Sequence, residues 1–332
     1  MSNDLLISLS MNHNNDGETQ AELVENLVKN SLLATPAVIE AMRVADRKDF
    51  VRASEGPLYH DKPRNIGCQA TITSPHMHAV ALEALFSENP GMTSDSKSPD
   101  VLRGLDIGCG SGYVAVCMAR VLGEERGRVI GIDHAKDLVR LSRENALKSH
   151  KFLLDSGALA FYEGDGFLGM EEEGPFHFIH VGAAVPDIPG DLIEQLAPGG
   201  RLIIPVGEPG TEQKLTRVTK SPDNEVITEE MMTVVFSLME KEPPVSAEED
   251  VLQRVANVEA LYAEIQGVSE DIKTWQEAFK TTQGRKPSAA DMGMDEAART
   301  LLERFKGLQA ELKMAKAGAA RAKRAEDKGN LS

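Results

Sequence analysis

Cysteine is scarce. Only Cys68, Cys109 and Cys117 occur in 332 residues, and no two form a C-x-x-C pair. That excludes a disulfide framework and a zinc ribbon, and makes a reducing compartment, the cytosol, the expected home. Positive charge is also short: 36 Lys and Arg against 52 Asp and Glu leave a net charge of −16. Binding along a phosphate backbone would oppose the overall field, so a nucleic-acid partner is not expected. No apolar run approaches the roughly 18 residues of a membrane span. The stretch Leu5-Leu6-Ile7-Ser8-Leu9 is too short for a secretory core and has no basic flank. No metal site is expected. With 41% hydrophobic and 27% charged residues, the chain can build one domain of about 200–250 residues plus an appendage.

What is present begins with a polar segment, 1–18, expected to be frayed. From Thr19 to Arg52, Leu23, Leu27, Leu32, Val38 and Met42 mark helical pieces, with Thr35-Pro36 as a cap and first turn. Residues 53–75 read as irregular, 76–86 as a helix opened by Pro75, and 87–100 as a flexible loop. Strands over 101–107, 128–132, 158–163, 176–181 and 201–206 then alternate with helical patterns over 112–122, 135–149 and 188–196. Such alternation predicts a parallel sheet with helices on both faces. Two more strands, near 213–219 and 230–239, follow with no helix between them and suggest an antiparallel edge hairpin. Lys241-Glu242-Pro243-Pro244 reads as a linker. Beyond it, Val258, Leu261, Ile265, Val268, Ile272, Trp275 and Phe279 recur at helical spacing, as do Met294, Ala298, Leu301, Phe305, Leu308 and Leu312. These are two amphipathic helices around a hinge at Thr281–Asp291, followed by a basic tail. The domains expected are therefore a flexible 1–18, an α/β domain over 19–242 and a helical extension 243–332.

Within the alternating region, Leu105-Asp106-Ile107-Gly108-Cys109-Gly110-Ser111-Gly112 is an apolar strand ending in a glycine turn. Glycines let a backbone approach a ligand closely, and helix N-termini offer N–H groups. The spacing is G-x-G-x-G, not the G-x-G-x-x-G of a pyrophosphate cradle. Asp133, closing the next strand in Gly131-Ile132-Asp133-His134, is placed to accept from two ribose hydroxyls. A nucleoside without phosphates, such as S-adenosylmethionine, fits this pattern. Glu163-Gly164-Asp165-Gly166 follows the third strand, where an Asp can accept from an adenine amine. An ordinary tight turn accounts for each glycine motif alone; their joint placement favours the ligand.

A further segment, Ile66-Gly67-Cys68-Gln69-Ala70-Thr71-Ile72-Thr73-Ser74-Pro75-His76-Met77-His78, is more specific. With Asp133-His134, Asp165-Gly166, His180-Val181-Gly182-Ala183-Ala184 and Leu196-Ala197-Pro198-Gly199-Gly200, it resembles the protein-L-isoaspartate (D-aspartate) O-methyltransferase family, from about Asn26 to about Gly207. The resemblance implies a doubly wound, mostly parallel, seven-stranded α/β sheet of the Rossmann-like methyltransferase type, here with a helical C-terminal appendage. It implies S-adenosylmethionine as cofactor, held by Ala70, Thr71, Ile72, Thr73, His78, Asp106, Gly108, Cys109, Gly110, Asp133, His134, Asp165 and Gly166. The family's functional hydroxyl falls on Thr73, and Thr73-Ser74 stands where the family has Ser-Ala, so either hydroxyl can serve. Val181, Gly182, Ala183, Ala184 and Pro186 would lie beside the substrate, an isoaspartyl-containing peptide or protein. The family's Val-Pro-Leu-Thr strand end reads Phe236-Ser237-Leu238-Met239, which puts closure of the site in question.

The implied reaction moves a methyl group to the free carboxylate of an isoaspartyl residue. A carboxylate of reference pKa about 4 is already ionised at neutral pH, so no general base is needed. The alternative is a methyltransferase-like adaptor that recognises damaged peptides and recruits a partner through its C-terminal helices. Residues 245–315 would serve either self-association or a protein partner. Ile272 to Ser288 resembles a short helical motif near the start of some RecQ-family helicases and replication-initiation proteins, over about twenty residues only.

Overall fold

The structure, a computed structural model, describes residues 14–51, 56–68, 70–87, 101–208, 211–239 and 247–329. Expectations for residues 1–13, Gln69, 88–100 and Lys241–Pro244 fall outside them. The chain divides into two compact units, 1–241 and 242–332.

The first unit opens with α1 (Gln20–Lys29) and α2 (Pro36–Val44). Thr19 caps α1 by accepting from the Glu22 amide at 3.2 Å. Thr35 departs from its expected capping role. Its hydroxyl donates to Glu83 at 2.7 Å, tying this turn to a distant helix instead. The stretch read as irregular contains an antiparallel hairpin, β1 (Arg64–Gly67) and β2 (Ala70–Ile72). Its turn residue Cys68 has φ of +50°. A pattern method has little purchase on strands of four and three residues. Helix α3 (Pro75–Phe86) follows, with Met77, Val80, Leu82, Leu85 and Phe86 all buried.

Seven strands form one sheet: β3 (Leu102–Ile107), β4 (Gly127–Asp133), β5 (Leu159–Glu163), β6 (Phe176–Val181), β7 (Leu196–Val206), β8 (Gln213–Lys220) and β9 (Val226–Val234). The order is β5-β4-β3-β6-β7-β8-β9. The pairs among β3 to β7 are parallel; β7 with β8 and β8 with β9 are antiparallel. The mostly parallel seven-stranded sheet implied by the sequence is thus present. Chain order reverses beside β3, which has β4 on one side and β6 on the other, and doubly wound sheets bind ligands beyond the carboxyl ends of strands at such a point. Helices α4 (Tyr113–Leu122) and α5 (Lys136–Ser149) make the crossovers. The helix expected over 188–196 is shorter, at Gly190–Glu194, because β7 starts at Leu196 and absorbs the Pro198-Gly199-Gly200 turn. The last strand ends at Val234, earlier than expected; among the described residues beyond it, Leu238 makes an isolated bridge to Ala184. Strand interiors such as Leu105, Phe161, Phe178, Ile179 and Ile203 are fully buried, as expected where helices cover a sheet.

The second unit is a helical hairpin. A long helix, Ala247–Gln283, packs antiparallel against Glu296–Gly329, which takes in the basic tail as far as Gly329. Leu261, Val268 and Leu308 form its buried centre, with Ile265, Ile272, Leu301, Phe305 and Leu312 half-buried around them. At the turn, Arg285 forms two hydrogen bonds of 2.7 Å to Asp291 and lies over Phe279, while Ser288 caps the short helix Ala289–Met294. Arg285 and Ser288 of the short helical motif are thus held by Asp291, just beyond it. Among the described residues, no helix is long and apolar enough to cross a membrane and no cluster fit to hold a metal ion occurs.

Candidate active site

At the carboxyl end of β3, Gly108, Gly110 and Gly112 have φ of +68°, +51° and +83°, a region that side chains disfavour. The turn is tied inward. Gly108 and Cys109 donate to the Ile132 carbonyl at 2.9 and 3.0 Å, Gly110 to the Asp133 carboxylate at 3.0 Å, and Gly112 to the Cys109 carbonyl at 2.7 Å. These four amides are therefore unavailable as an anion cradle, contrary to the expectation of free N–H groups. That loss fits a ligand carrying no phosphate. Asp133 accepts from Gly110 through one oxygen and from Ala135 at 3.1 Å through the other. Burial pushes its pKa up against those amides and the neighbouring His134, whose ring nitrogen lies 3.4 Å away. Each carboxylate oxygen keeps a further lone pair for a ribose hydroxyl.

The β1–β2 hairpin lies over this turn: a methyl group on Gly110 would meet the end of Ile66 at 3.4 Å. The structure thus brings the Ala70–His78 segment and the glycine turn together. The individual side chains differ in what they offer. Thr71 is exposed, Ala70 and Thr73 are half-buried, and Ile72 is buried in the core, so Ile72 has only its backbone for a ligand. Cys109 is also a core side chain, facing Ser142 at 3.4 Å; burial, then Asp106 and Asp133, push its thiol pKa well up. His78 is buried with its ring stacked 4.8 Å from Tyr113. Burial, followed by the nearby charges of Arg47, His180 and His76, drives its pKa well below the ordinary value.

Asp106 is 1% exposed. One of its oxygens takes a 2.7 Å hydrogen bond from His180, its register neighbour on β6. The other has no partner among the described residues, and neither does the His78 Nδ1 nor two of the Arg47 guanidinium nitrogens. Buried polar atoms are nearly always paired, so a group of unpaired ones marks a place where water or a ligand can complete the set. His180, His76, Asp61 and Arg47 stand against the candidate residues, and the motif reading gave them no role. For His180 the signal was present, because strand register sets it opposite Asp106.

Asp165 turns over its own loop, accepting from the Phe167 amide at 2.8 Å. Gly166 has no room for a side chain: a methyl there would sit 2.7 Å from Ile107 and 2.9 Å from the Met239 sulfur. Met239 belongs to the divergent Phe236–Met239 segment. That segment runs along the expected substrate loop, with Ala184 donating to Ser237 at 2.8 Å and Met239 donating to Ala184 at 2.7 Å. Its unusual sequence therefore still closes this rim. Val185 is similarly engaged, donating to Pro205 and accepting from Gly207. Strand-like pairing of a peptide with residues 184 and 185 is consequently blocked, while the Gly182 carbonyl, Ala183 and Pro186 are left open among the described residues. Val181 and Ala184 are buried, Gly182 and Ala183 half-buried, and Pro186 exposed.

The two candidate hydroxyls differ. Thr73 Oγ1 has no partner among the described residues, while its carbonyl accepts from Arg47 at 2.9 Å. Ser74 is 5% exposed and its hydroxyl faces His76 Nε2 at 3.3 Å.

Comparison with known proteins agrees with this geometry. The family model of protein-L-isoaspartate(D-aspartate) O-methyltransferase matches residues 18–242. A protein-L-isoaspartate O-methyltransferase of Caenorhabditis elegans is 41% identical over 204 residues, 61% of this chain and 85% of that one. One from Triticum aestivum is 43% identical over 208 residues, 62% and 84% respectively. A crystal structure of the Plasmodium falciparum protein of that description, in complex with S-adenosyl-L-homocysteine, superposes with a TM-score of 0.58 at 32% identity. It covers 68% of this chain and all of its own.

Proposed function

The chain belongs to the protein-L-isoaspartate(D-aspartate) O-methyltransferase family, and from that premise we propose how its own residues carry out the reaction. The enzyme transfers a methyl group from S-adenosylmethionine to the free α-carboxylate of L-isoaspartyl, and of D-aspartyl, residues in damaged proteins. The observation that carries this is the family's segment Ile66–His78, with Ile66 over Gly110 and His78 stacked on Tyr113, packed against a glycine turn whose amides are consumed internally and whose acid, Asp133, closes the adjacent strand.

The residues present fit the cofactor. Gly108, Gly110 and Asp133 supply a close backbone approach with ribose acceptors, and Asp165-Gly166 lies at the next strand end under Met239. When bound, S-adenosylmethionine supplies an electrophilic methyl on a sulfonium. The protein's own task is alignment and exclusion of water, since the carboxylate arrives ionised. Such alignment can contribute up to about 7–11 kcal/mol. Thr73 donates to one carboxylate oxygen and leaves the other to attack. Hydrogen bonding to the attacking oxygen would lower its nucleophilicity, so the hydroxyl orients and does not activate. The Gly182 carbonyl and Ala183 contact the peptide backbone, which suits a substrate defined by backbone chemistry and not by side chains.

The family match favours the enzymatic reading over the adaptor one; of the two features behind the latter, the altered Phe236–Met239 segment still pairs with Ala184 at the rim, and the extra helices remain. We place the enzyme in the cytosol, in keeping with its three unpaired cysteines. We assign residues 245–315 to contact with a protein partner or a second copy. The function is tested by incubating the purified chain with labelled S-adenosylmethionine and an isoaspartyl peptide. Base-labile label on the peptide supports it; cofactor binding without transfer contradicts it.

A further inference from the structure

The start of α3 breaks a local rule. Ser74 occupies the N-cap position, with Pro75 as the first helical residue, and a serine there ordinarily accepts from an amide two or three residues on. Ser74 makes no such bond. The His76 amide donates instead to Asp61, at 2.9 Å, across 15 residues of sequence. Asp61 therefore caps the helix from outside. Its second oxygen lies 2.9 Å from His76 Nδ1 and also takes 2.7 Å from the Asn15 amide. Burial pushes the Asp61 carboxyl up, but the His76 and Asn15 hydrogen bonds outweigh it and hold the pKa below its ordinary value. An ionised carboxylate only accepts, so Nδ1 carries the proton and Nε2 faces the Ser74 hydroxyl at 3.3 Å.

A hydroxyl, an imidazole and a carboxylate in series invite a nucleophilic reading. The surroundings exclude it. Pro75 has no N–H, the His76 amide is held by Asp61, and those of Met77 and His78 donate back to the Ser74 carbonyl at 3.1 and 3.2 Å. Among these amides, none remains for an oxyanion. The chain of contacts has a different consequence. Thr73 is gripped on one side by Arg47, which donates to its carbonyl at 2.9 Å and to that of Lys62 at 3.1 Å. On the other side Ser74 is held through His76 to Asp61.

We propose that Asp61 is a positioning residue for methyl transfer: by capping α3 in place of Ser74 and orienting His76, it pins the Thr73-Ser74 turn and so aims the Thr73 hydroxyl at the substrate carboxylate. The inference rests on the role given to Thr73 above. A local rule broken with an outside group standing in is the pattern expected where a site has first claim on a residue.

The test is a double-mutant cycle on the full chain. Asp61→Asn keeps an acceptor for the His76 amide, so the cap survives, but its amide nitrogen cannot accept from Nδ1. It is expected to lower kcat/KM for an isoaspartyl peptide about tenfold, mainly through peptide KM, with cofactor affinity unchanged. In a Thr73→Ala background the same change is expected to cost less than about twofold, because there is no hydroxyl left to aim. Equal losses in both backgrounds would overturn the proposal and leave Asp61 a structural cap. A second readout needs no activity. Nitrogen chemical shifts of His76 should show Nδ1 protonated in the wild type and should move at Nε2 on Ser74→Ala. Unmoved shifts would also overturn it. If the wild type fails to methylate the peptide, the enzymatic reading fails first, and the shifts alone judge the network.

Discussion

His150 joins α5 to the short helix Lys151–Asp155 and is 2% exposed, with neither ring nitrogen partnered among the described residues. Its ring stacks 6.3 Å from Phe50 and lies 6.5 Å from Phe152. Burial, then the charge of Arg120, lowers its pKa from the ordinary value. Replacement by Leu removes buried polar atoms that make no bonds, a relief of about 1–3 kcal/mol, against roughly 0.5–1.5 kcal/mol of ring contact forfeited. A net gain of about 1 kcal/mol is expected at pH 7.5. The pH dependence has a definite sign. The unfolded histidine takes up a proton below about pH 6.5 while the folded one resists, so the wild type loses stability as pH falls from 6.5 toward the lowered folded pKa. His150→Leu lacks that loss, and its advantage should grow at pH 5.5. His78, also buried with a lowered pKa, is common to both proteins and cancels in the difference. Urea denaturation followed by hydrogen exchange on β3–β6 peptides reports this sheet without interference from the helical hairpin. An advantage that shrinks on acidification, or a variant less stable by more than about 1 kcal/mol at pH 7.5, would refute the reasoning.

Three further outcomes are expected. Thr73→Ala should lower kcat/KM for an isoaspartyl peptide by about 5- to 100-fold in initial-rate assays, the effect of losing one orienting hydrogen bond of about 1–3 kcal/mol. Asp133→Asn should weaken the calorimetric affinity for S-adenosylmethionine by about tenfold or more, because the amide nitrogen replaces an acceptor that already serves a backbone amide. Gly112→Ala should destabilise the sheet unit by about 2–5 kcal/mol in denaturant titration. Its φ is +83°, and the new methyl would lie 3.0 Å from Ser142 and 3.1 Å from Phe161, so left-handed strain and overpacking combine.

The alternation of strand and helix, the glycine turn and Asp133 were legible in the sequence because each is local: a period, a spacing, a strand end. The edge hairpin was legible as an unpunctuated strand pair, though its last strand lay several residues off. Phe236–Met239 reads like strand, but it leaves β8 to run along Ala184. The short hairpin β1–β2 escaped because three or four residues carry no period. The network under Thr73 escaped for a different reason. Asp61, His76 and Arg47 become partners only when a helix start, a loop and a 3₁₀ turn converge, and no spacing along the chain encodes that. The internal use of the glycine-turn amides was likewise invisible, since the motif specifies backbone freedom and not which carbonyl each amide meets.

The most direct measurement compares initial rates of label transfer from S-adenosylmethionine to two peptides of identical composition, one with an isoaspartyl linkage and its twin with a normal aspartyl one. The account predicts methylation of the isoaspartyl peptide at least about a hundredfold faster, as expected when a prepositioned hydroxyl meets a free α-carboxylate that the twin does not present. Equal rates on the two peptides, or label on neither while the cofactor binds, would contradict it.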